Sequence, residues 1–174
     1  MAGIITIFFS LILGVNNPSE ELNMEIQQEL VSTYYLIRHA EKDRSDRSNR
    51  NPDLTKKGME RAQNWAEVLK NIDFDAVYST DYNRTMQTAK PTADANKLEI
   101  IKYDANNLFD ENFEKTTAGK TVLVVGHSNT TPQFANAILA EKKYEDIDDS
   151  ENGALFIVQV FADGSTQSQV LYIN

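Results

Sequence analysis

Thr33-Tyr34-Tyr35-Leu36-Ile37-Arg38-His39-Ala40-Glu41 and, far downstream, Thr121-Val122-Leu123-Val124-Val125-Gly126-His127-Ser128-Asn129 share one design. Each is a short, β-prone apolar run that stops abruptly in polar chemistry. An open α/β sheet presents its site in this way, at the carboxyl edge of buried strands. His39 and His127 are the only histidines in the chain. A lone histidine is most often a satisfied packing or surface residue. Two histidines that both stand just past strand-like runs point to one shared site.

The rest of the chain alternates in period. Thr33 to Arg38 reads as the first strand, and Ala40 to Pro52 as a long polar loop. Thr55 is a good N-cap for a helix whose buried stripe is Met59, Ala62, Trp65, Ala66 and Leu69. Phe74 to Ser79 reads as the second strand. A helix follows from Tyr82 toward Ala95, with Pro91 expected to kink it or end it early. Leu98 to Tyr103 is a third strand ending at Asp104, and Leu108 to Thr117 a short helix. Thr121 to Val125 is the most apolar strand and is expected to be central and parallel. Thr131 to Leu139 is a helix with Phe134, Ala135, Ile138 and Leu139 inward. Tyr144 to Asn152 reads as a solvated acidic loop. Ala154 to Phe161, an Asp163-Gly164 turn and Ser168 to Ile173 predict a terminal hairpin. Strand, helix, strand, helix order predicts a three-layer α/β/α sandwich with a mostly parallel central sheet.

With 174 residues the chain is long enough for one such domain. It has no cysteine, which excludes disulfides and thiolate metal sites. The net charge of -9 argues against nucleic acid, which demands phosphate-neutralising basic surface. Yet the arginines are gathered in one segment: Arg38, Arg44, Arg47, Arg50, Arg61 and Arg84. Guanidinium forks suit phosphate, so a local anion site is expected. Chance and solubility are the bland alternative. Gly3 to Val15 is an uncharged, almost wholly apolar run of signal-peptide core length and too short to span a bilayer comfortably, so residues 1–15 read as a signal peptide or N-terminal hydrophobic segment. Export to a periplasmic or extracellular location is the expectation, against a retained anchor, a strand of the domain or a cytoplasmic protein. Residues 16–32 read as a linker with a thin helical stripe, and residues 33–174 as the domain, not embedded in the membrane.

Leu36-Ile37-Arg38-His39-Ala40-Glu41 resembles the signature of the histidine phosphatase superfamily, the phosphoglycerate-mutase-like proteins. Three further matches follow in the family's order: Leu54-Thr55-Lys56-Lys57-Gly58 with Ala62, Tyr78 to Thr85 with Thr88-Ala89, and Val125-Gly126-His127-Ser128. Thr80, Tyr82 and Thr85 depart from the Ser, Leu and Ala usual in the second motif. The chain also lacks the long insertions of true mutases, so the resemblance is to the small phosphatase branch.

The resemblance implies a phosphoglycerate-mutase-like fold and assigns roles. His39 is the nucleophile that becomes phosphorylated. Arg38, Arg84 and His127 bind the phosphoryl oxygens, with Ser128 and Asn129 adding backbone donors at a helix N-terminus. No metal or other cofactor is required. Asp104 is the candidate general acid, with Asp110 and Glu111 as rivals; Glu41 is a candidate to orient an arginine or His127. The expected partner is a phosphorylated small molecule or phosphoprotein. Two other classes stay open: a non-catalytic phospholigand-binding module that kept the pocket, and a metal hydrolase using both histidines with carboxylates.

Overall fold

A computed structural model describes residues 29–173. The apolar segment expected over residues 1–15 and most of the linker lie outside them. The elements in chain order are β1 (Leu30–Arg38), α1 (Lys56–Val68), β2 (Ala76–Ser79), α2 (Asn83–Ala95), β3 (Ile100–Lys102), α3 (Glu111–Thr117), β4 (Thr121–Gly126), α4 (Thr130–Leu139), β5 (Ala154–Phe161) and β6 (Thr166–Tyr172). One six-stranded sheet runs in the order β3-β2-β4-β1-β5-β6. The first four strands are parallel, and the terminal hairpin adds two antiparallel strands beside β1.

Strand alternation divides the core between the two faces of this sheet. Tyr34, Leu36, Tyr78, Val122, Val124, Phe156 and Val158 meet Phe113 of α3 and Phe134, Ala135 and Ile138 of α4. Ile37, Val77, Leu123, Val125 and Leu155 meet Trp65 of α1 and Ala89 and Ala93 of α2. The helices therefore cover both faces, giving the expected three layers. β1 and β4 supply buried side chains to both faces, which is why both read as continuous apolar runs.

The register places the site. β1 and β4 pair in parallel with Arg38 opposite Gly126, so His39 and His127 leave the sheet side by side. His39 N continues the ladder by donating to Gly126 O at 2.9 Å. Gly126 has no room for a side chain: a Cβ there would lie 2.9 Å from the hydroxyl oxygens of Thr130 and Thr131. The start of α4 is thereby drawn tight against the end of β4.

Several local expectations are corrected. β1 begins at Leu30, three residues before the expected Thr33, because its antiparallel partner β5 extends to Phe161. α2 continues past Pro91 to Ala95. Pro91 withholds one backbone donor, but Ala89, Thr92 and Ala93 around it are buried, and their packing holds the helix on. In α1, Met59 is exposed, while Ala62, Trp65 and Leu69 are buried as expected. The inward place at that end of the helix belongs to Gly58, which sits against the backbone of Glu41. Thr55 is the N-cap, its hydroxyl accepting from Gly58 N at 3.0 Å and donating to Glu41 O at 3.1 Å.

That contact sets a prediction. Alanine normally favours a helix interior over glycine by about 1 kcal/mol. At Gly58 a Cβ would overlap the Glu41 carbonyl oxygen, which the Thr55 amide and hydroxyl hold in place. Overpacking against fixed backbone costs roughly 1–3 kcal/mol, so the clash wins. Gly58→Ala is expected to lower Tm by several degrees in thermal denaturation; an unchanged or raised Tm would show that the segment after His39 yields freely.

Candidate active site

Three strand-end segments meet in one cavity of about 490 Å³. β1 delivers Arg38 and His39, the segment after β2 delivers Tyr82 and Arg84, and β4 delivers His127. Ser128, Asn129 and Thr130 line it from the start of α4, and Lys42, Ala105, Asn106 and Asp149 complete the wall. The His39 and His127 rings stand 5.5 Å apart, centre to centre, at 68°. The His127 ring also meets the Tyr82 ring edge-on at 5.2 Å. The Arg84 guanidinium lies 4.4 Å over the face of Tyr82, a cation–π contact that fixes its plane.

His39 is 3% exposed, and its Nδ1 lies 2.7 Å from its neighbour's carbonyl, Ala40 O. A carbonyl only accepts, so Nδ1 carries the proton and Nε2 keeps its lone pair. This is the tautomer that a nucleophilic imidazole needs. Around it the guanidiniums are short of acceptors. Arg38 Nε and Arg84 Nε and Nη1 are buried with no hydrogen-bond partner. Buried unpaired donors are costly, and charged ones more so.

Residues 34–111 match the histidine phosphatase superfamily (branch 1). The matched segment carries the first histidine and both site arginines, in the geometry just described. Over these residues, somewhat under half of its length, the chain is similar to this superfamily.

Among relatives, phosphoserine phosphatase 1 of Hydrogenobacter thermophilus is 36% identical over 73 residues, which cover 40% of this chain and 35% of that protein. The match thus spans about a third of the relative's length. Among solved structures, the alpha-ribazole phosphatase of Shigella flexneri superposes with a TM-score of 0.61 at 16% identity, over 81% of this chain and 96% of that one. The protein histidine phosphatase SixA complexed with tungstate gives 0.60 at 16% identity, over 80% and 96%. A phosphoglycerate mutase from Plasmodium falciparum gives 0.53 at 18% identity, over 80% and 89%. These identities speak for the fold alone, the phosphoglycerate-mutase-like architecture.

Arg38, His39, Arg84, His127, Ser128 and Asn129 come together in this cavity as the sequence predicted. The acid candidates do not. Asp104 is exposed, lines a neighbouring cavity and accepts from the Asn106 amide at 2.9 Å. Asp110 is the N-cap of α3, accepting from Phe113 N at 2.7 Å, and Glu111 follows it in the first turn. Glu41 pairs with Arg61 at 3.0 Å, orienting that arginine and neither Arg38 nor His127. Among the described residues, the carboxylate that lines the cavity is Asp149.

Asp149 belongs to the acidic segment read as a solvated loop, and here the sequence reading missed a function. Arg38 donates through Nη1 to Asp148 O at 2.9 Å and Glu151 O at 2.8 Å, and through Nη2 to Asp149 Oδ1 at 2.7 Å. Asn152 donates to His39 O at 3.0 Å, and Ile147 N donates to Ser128 O at 2.8 Å. The outer side of the segment is exposed, but its inner side clamps both strand ends. Asp149 also pairs with Arg44 of the arginine-rich loop at 2.8 Å. The density of acids from Glu145 to Glu151 was the available signal, since a buried arginine needs a countercharge.

Burial pushes the His39 imidazole down to about 3, assisted by the nearby charges of Arg38, Arg84 and His127 and opposed by the Ala40 carbonyl. His127 is pushed down to about 4, again first by burial and then by Arg84, Lys42 and Arg38. Both values lie below the roughly 6.5 of a free histidine. Both rings are therefore neutral at neutral pH, His39 with a wide margin. As pH falls below about 6.5 the unfolded chain takes up protons that the folded site refuses, so these groups withdraw stability toward acid and are neutral in effect above it. NMR titration of the unliganded protein should show neither ring titrating near pH 6.5, with both midpoints below 5. A midpoint near 6.5 for His39 would mean that the site is open to water.

Proposed function

We propose that this protein is a phosphatase that hydrolyses phosphomonoesters or phosphohistidine, without metal, through a phosphohistidine intermediate on His39. The observation that carries the reading is the ring of unpaired, buried guanidinium N–H groups around an imidazole whose Nε2 lone pair is free. The phosphoryl group of a substrate supplies the acceptors that Arg38 Nε and Arg84 Nε and Nη1 lack. Arg84 Nη2 lies 3.5 Å from His127 Nδ1, which ties the guanidinium to the second ring. Phosphoryl transfer needs positioning and neutralisation of charge above all, and fixed guanidiniums provide both where other enzymes use a metal ion. Retention of a correctly protonated nucleophile favours this over a binding module, which needs the cations and not the lone pair.

The steps follow from these atoms. His39 Nε2 attacks phosphorus, the bond from phosphorus to the leaving group breaks, and phospho-His39 forms. Water then attacks phosphorus, the bond to Nε2 breaks, and inorganic phosphate leaves. Protonation of the leaving group sets the substrate class. Asp149 is held below the usual carboxylate range by its bonds to Arg44 and Arg38, so it is ionised and a poor proton donor at neutral pH. Groups that depart with little protonation are then favoured: aryl oxides and the imidazole of phosphohistidine. The phosphoserine phosphatase relative and the protein histidine phosphatase fold neighbour both support a phosphatase, and the second suits this preference. An exported location, expected from residues 1–15, remains part of the proposal.

The test is substrate profiling in the presence of a chelator. p-Nitrophenyl phosphate and a phosphohistidine protein should be turned over at undiminished rate, with kcat/KM at least about tenfold above that for an alkyl phosphate. His39→Asn should abolish turnover of every substrate while Tm stays within a few degrees. Activity that chelator removes and a divalent ion restores would favour the metal hydrolase. Tight phosphate binding with no turnover would favour the binding module.

A further inference from the structure

Thr85 stands where the family pattern has alanine, and the structure gives its hydroxyl a task. Thr80, just past β2, is 1% exposed, and Thr85, in the first turn of α2, is fully buried. Thr85 Oγ1 lies 2.9 Å from both Thr80 O and Tyr82 O. Carbonyls only accept, so the single Thr85 proton is directed at them and its oxygen is left to accept. Thr80 Oγ1 lies 2.9 Å from that oxygen and donates to it. The Thr80 proton is then committed, so the contact of 3.0 Å between Thr80 Oγ1 and His127 Nε2 runs from ring to hydroxyl. His127 therefore carries its proton on Nε2. The other side of the ring agrees independently: Nδ1 faces Arg84 Nη2 at 3.5 Å, and a guanidinium only donates.

We propose that Thr85, acting through the Thr80 hydroxyl, is a positioning residue that fixes the tautomer of His127. Alanine at this place would leave the Thr80 proton free to turn toward Nε2. The ring proton would then sit on Nδ1, N–H against N–H with Arg84, and the guanidinium would lose both an acceptor and its aim. With the relay intact, Nδ1 keeps a lone pair toward Arg84, and Arg84 keeps Nε and Nη1 for the anion. The kinetic consequence rests on the phosphatase reading above. The tautomer itself does not, because it is a property of the resting protein.

The experiment is long-range proton–nitrogen correlation on protein carrying 15N-labelled histidine, near pH 7, with His39→Asn used to assign the second ring. Wild-type His127 should be a single Nε2–H tautomer. Thr85→Val, which keeps the shape and removes the hydroxyl, should introduce the Nδ1–H tautomer and lower kcat on an aryl phosphate by about ten- to a hundredfold with little change in KM. Thr85→Ser should restore both. An Nδ1–H signal in the wild type overturns the proposal with no variant needed, which covers the case of a Thr85→Val chain that fails to fold. A kcat loss in Thr85→Val with the tautomer unmoved, or in Thr85→Ser equal to that in Thr85→Val, overturns it as well, because either would mark a packing role. A wild type that turns over no substrate would refute the phosphatase reading and leave the tautomer result standing.

Discussion

The parallel pairing of β1 with β4, with Arg38 opposite Gly126, is the constraint on which the site depends. A one-residue slip would reverse every side chain of β1 across the sheet. Tyr34 and Leu36 would trade places with Ile37, and both faces of the core would be lost at once. The register is therefore held by the whole core, and the histidines inherit its precision. Gly126 transmits the same constraint to α4, since any Cβ there would meet Thr130 and Thr131. Thr131 answers by donating to Ile37 O at 3.2 Å, tying the helix back to β1.

Burying cations at this junction has a cost that the rest of the site is arranged to offset. Arg38 is 2% exposed, and two backbone carbonyls and Asp149 take up its terminal nitrogens. Arg84 is offset only in part, by the face of Tyr82 and a long contact to His127. The difference divides their labour. Arg38 is anchored and presents Nε, whereas Arg84 is mostly unpaired and has the larger capacity for an anion. Burial, assisted by the same cations, depresses both imidazoles and keeps His39 unprotonated. On the proposed reading, charge that would be destabilising in an empty core serves an incoming phosphoryl group twice, as ligand and as tuner of His39.

Much of this was legible in the sequence, and the parts that were not share a cause. Buried parallel strands announce themselves as apolar runs, so the ends of β1 and β4, and the histidines after them, were readable. Arg84 was readable because its motif lies at a strand-to-helix turn. The role of residues 147–152 was not, because it arises where the chain returns to Arg38 from more than a hundred positions away. Local composition there says only that the segment is polar. Asp104 misled by the same logic that succeeded elsewhere. It follows a strand, but β3 is an edge strand of three residues, and Asp104 itself lines a neighbouring cavity while Ala105 and Asn106 after it reach the site. Pro91 and Met59 failed for a third reason: propensity and spacing are weak priors that tertiary packing overrode.

In the proposed reaction the free Nε2 lone pair of His39 faces the phosphoryl group held by the unpaired guanidiniums. Rapid acid-free quenching of a turnover with 32P-labelled phosphohistidine or aryl phosphate substrate, followed by peptide mapping, tests it most directly. The account predicts an alkali-stable, acid-labile label on the peptide bearing His39, absent from His39→Asn and much reduced in Arg84→Ala. Label on His127, on an acyl phosphate or on a hydroxyl residue would contradict it.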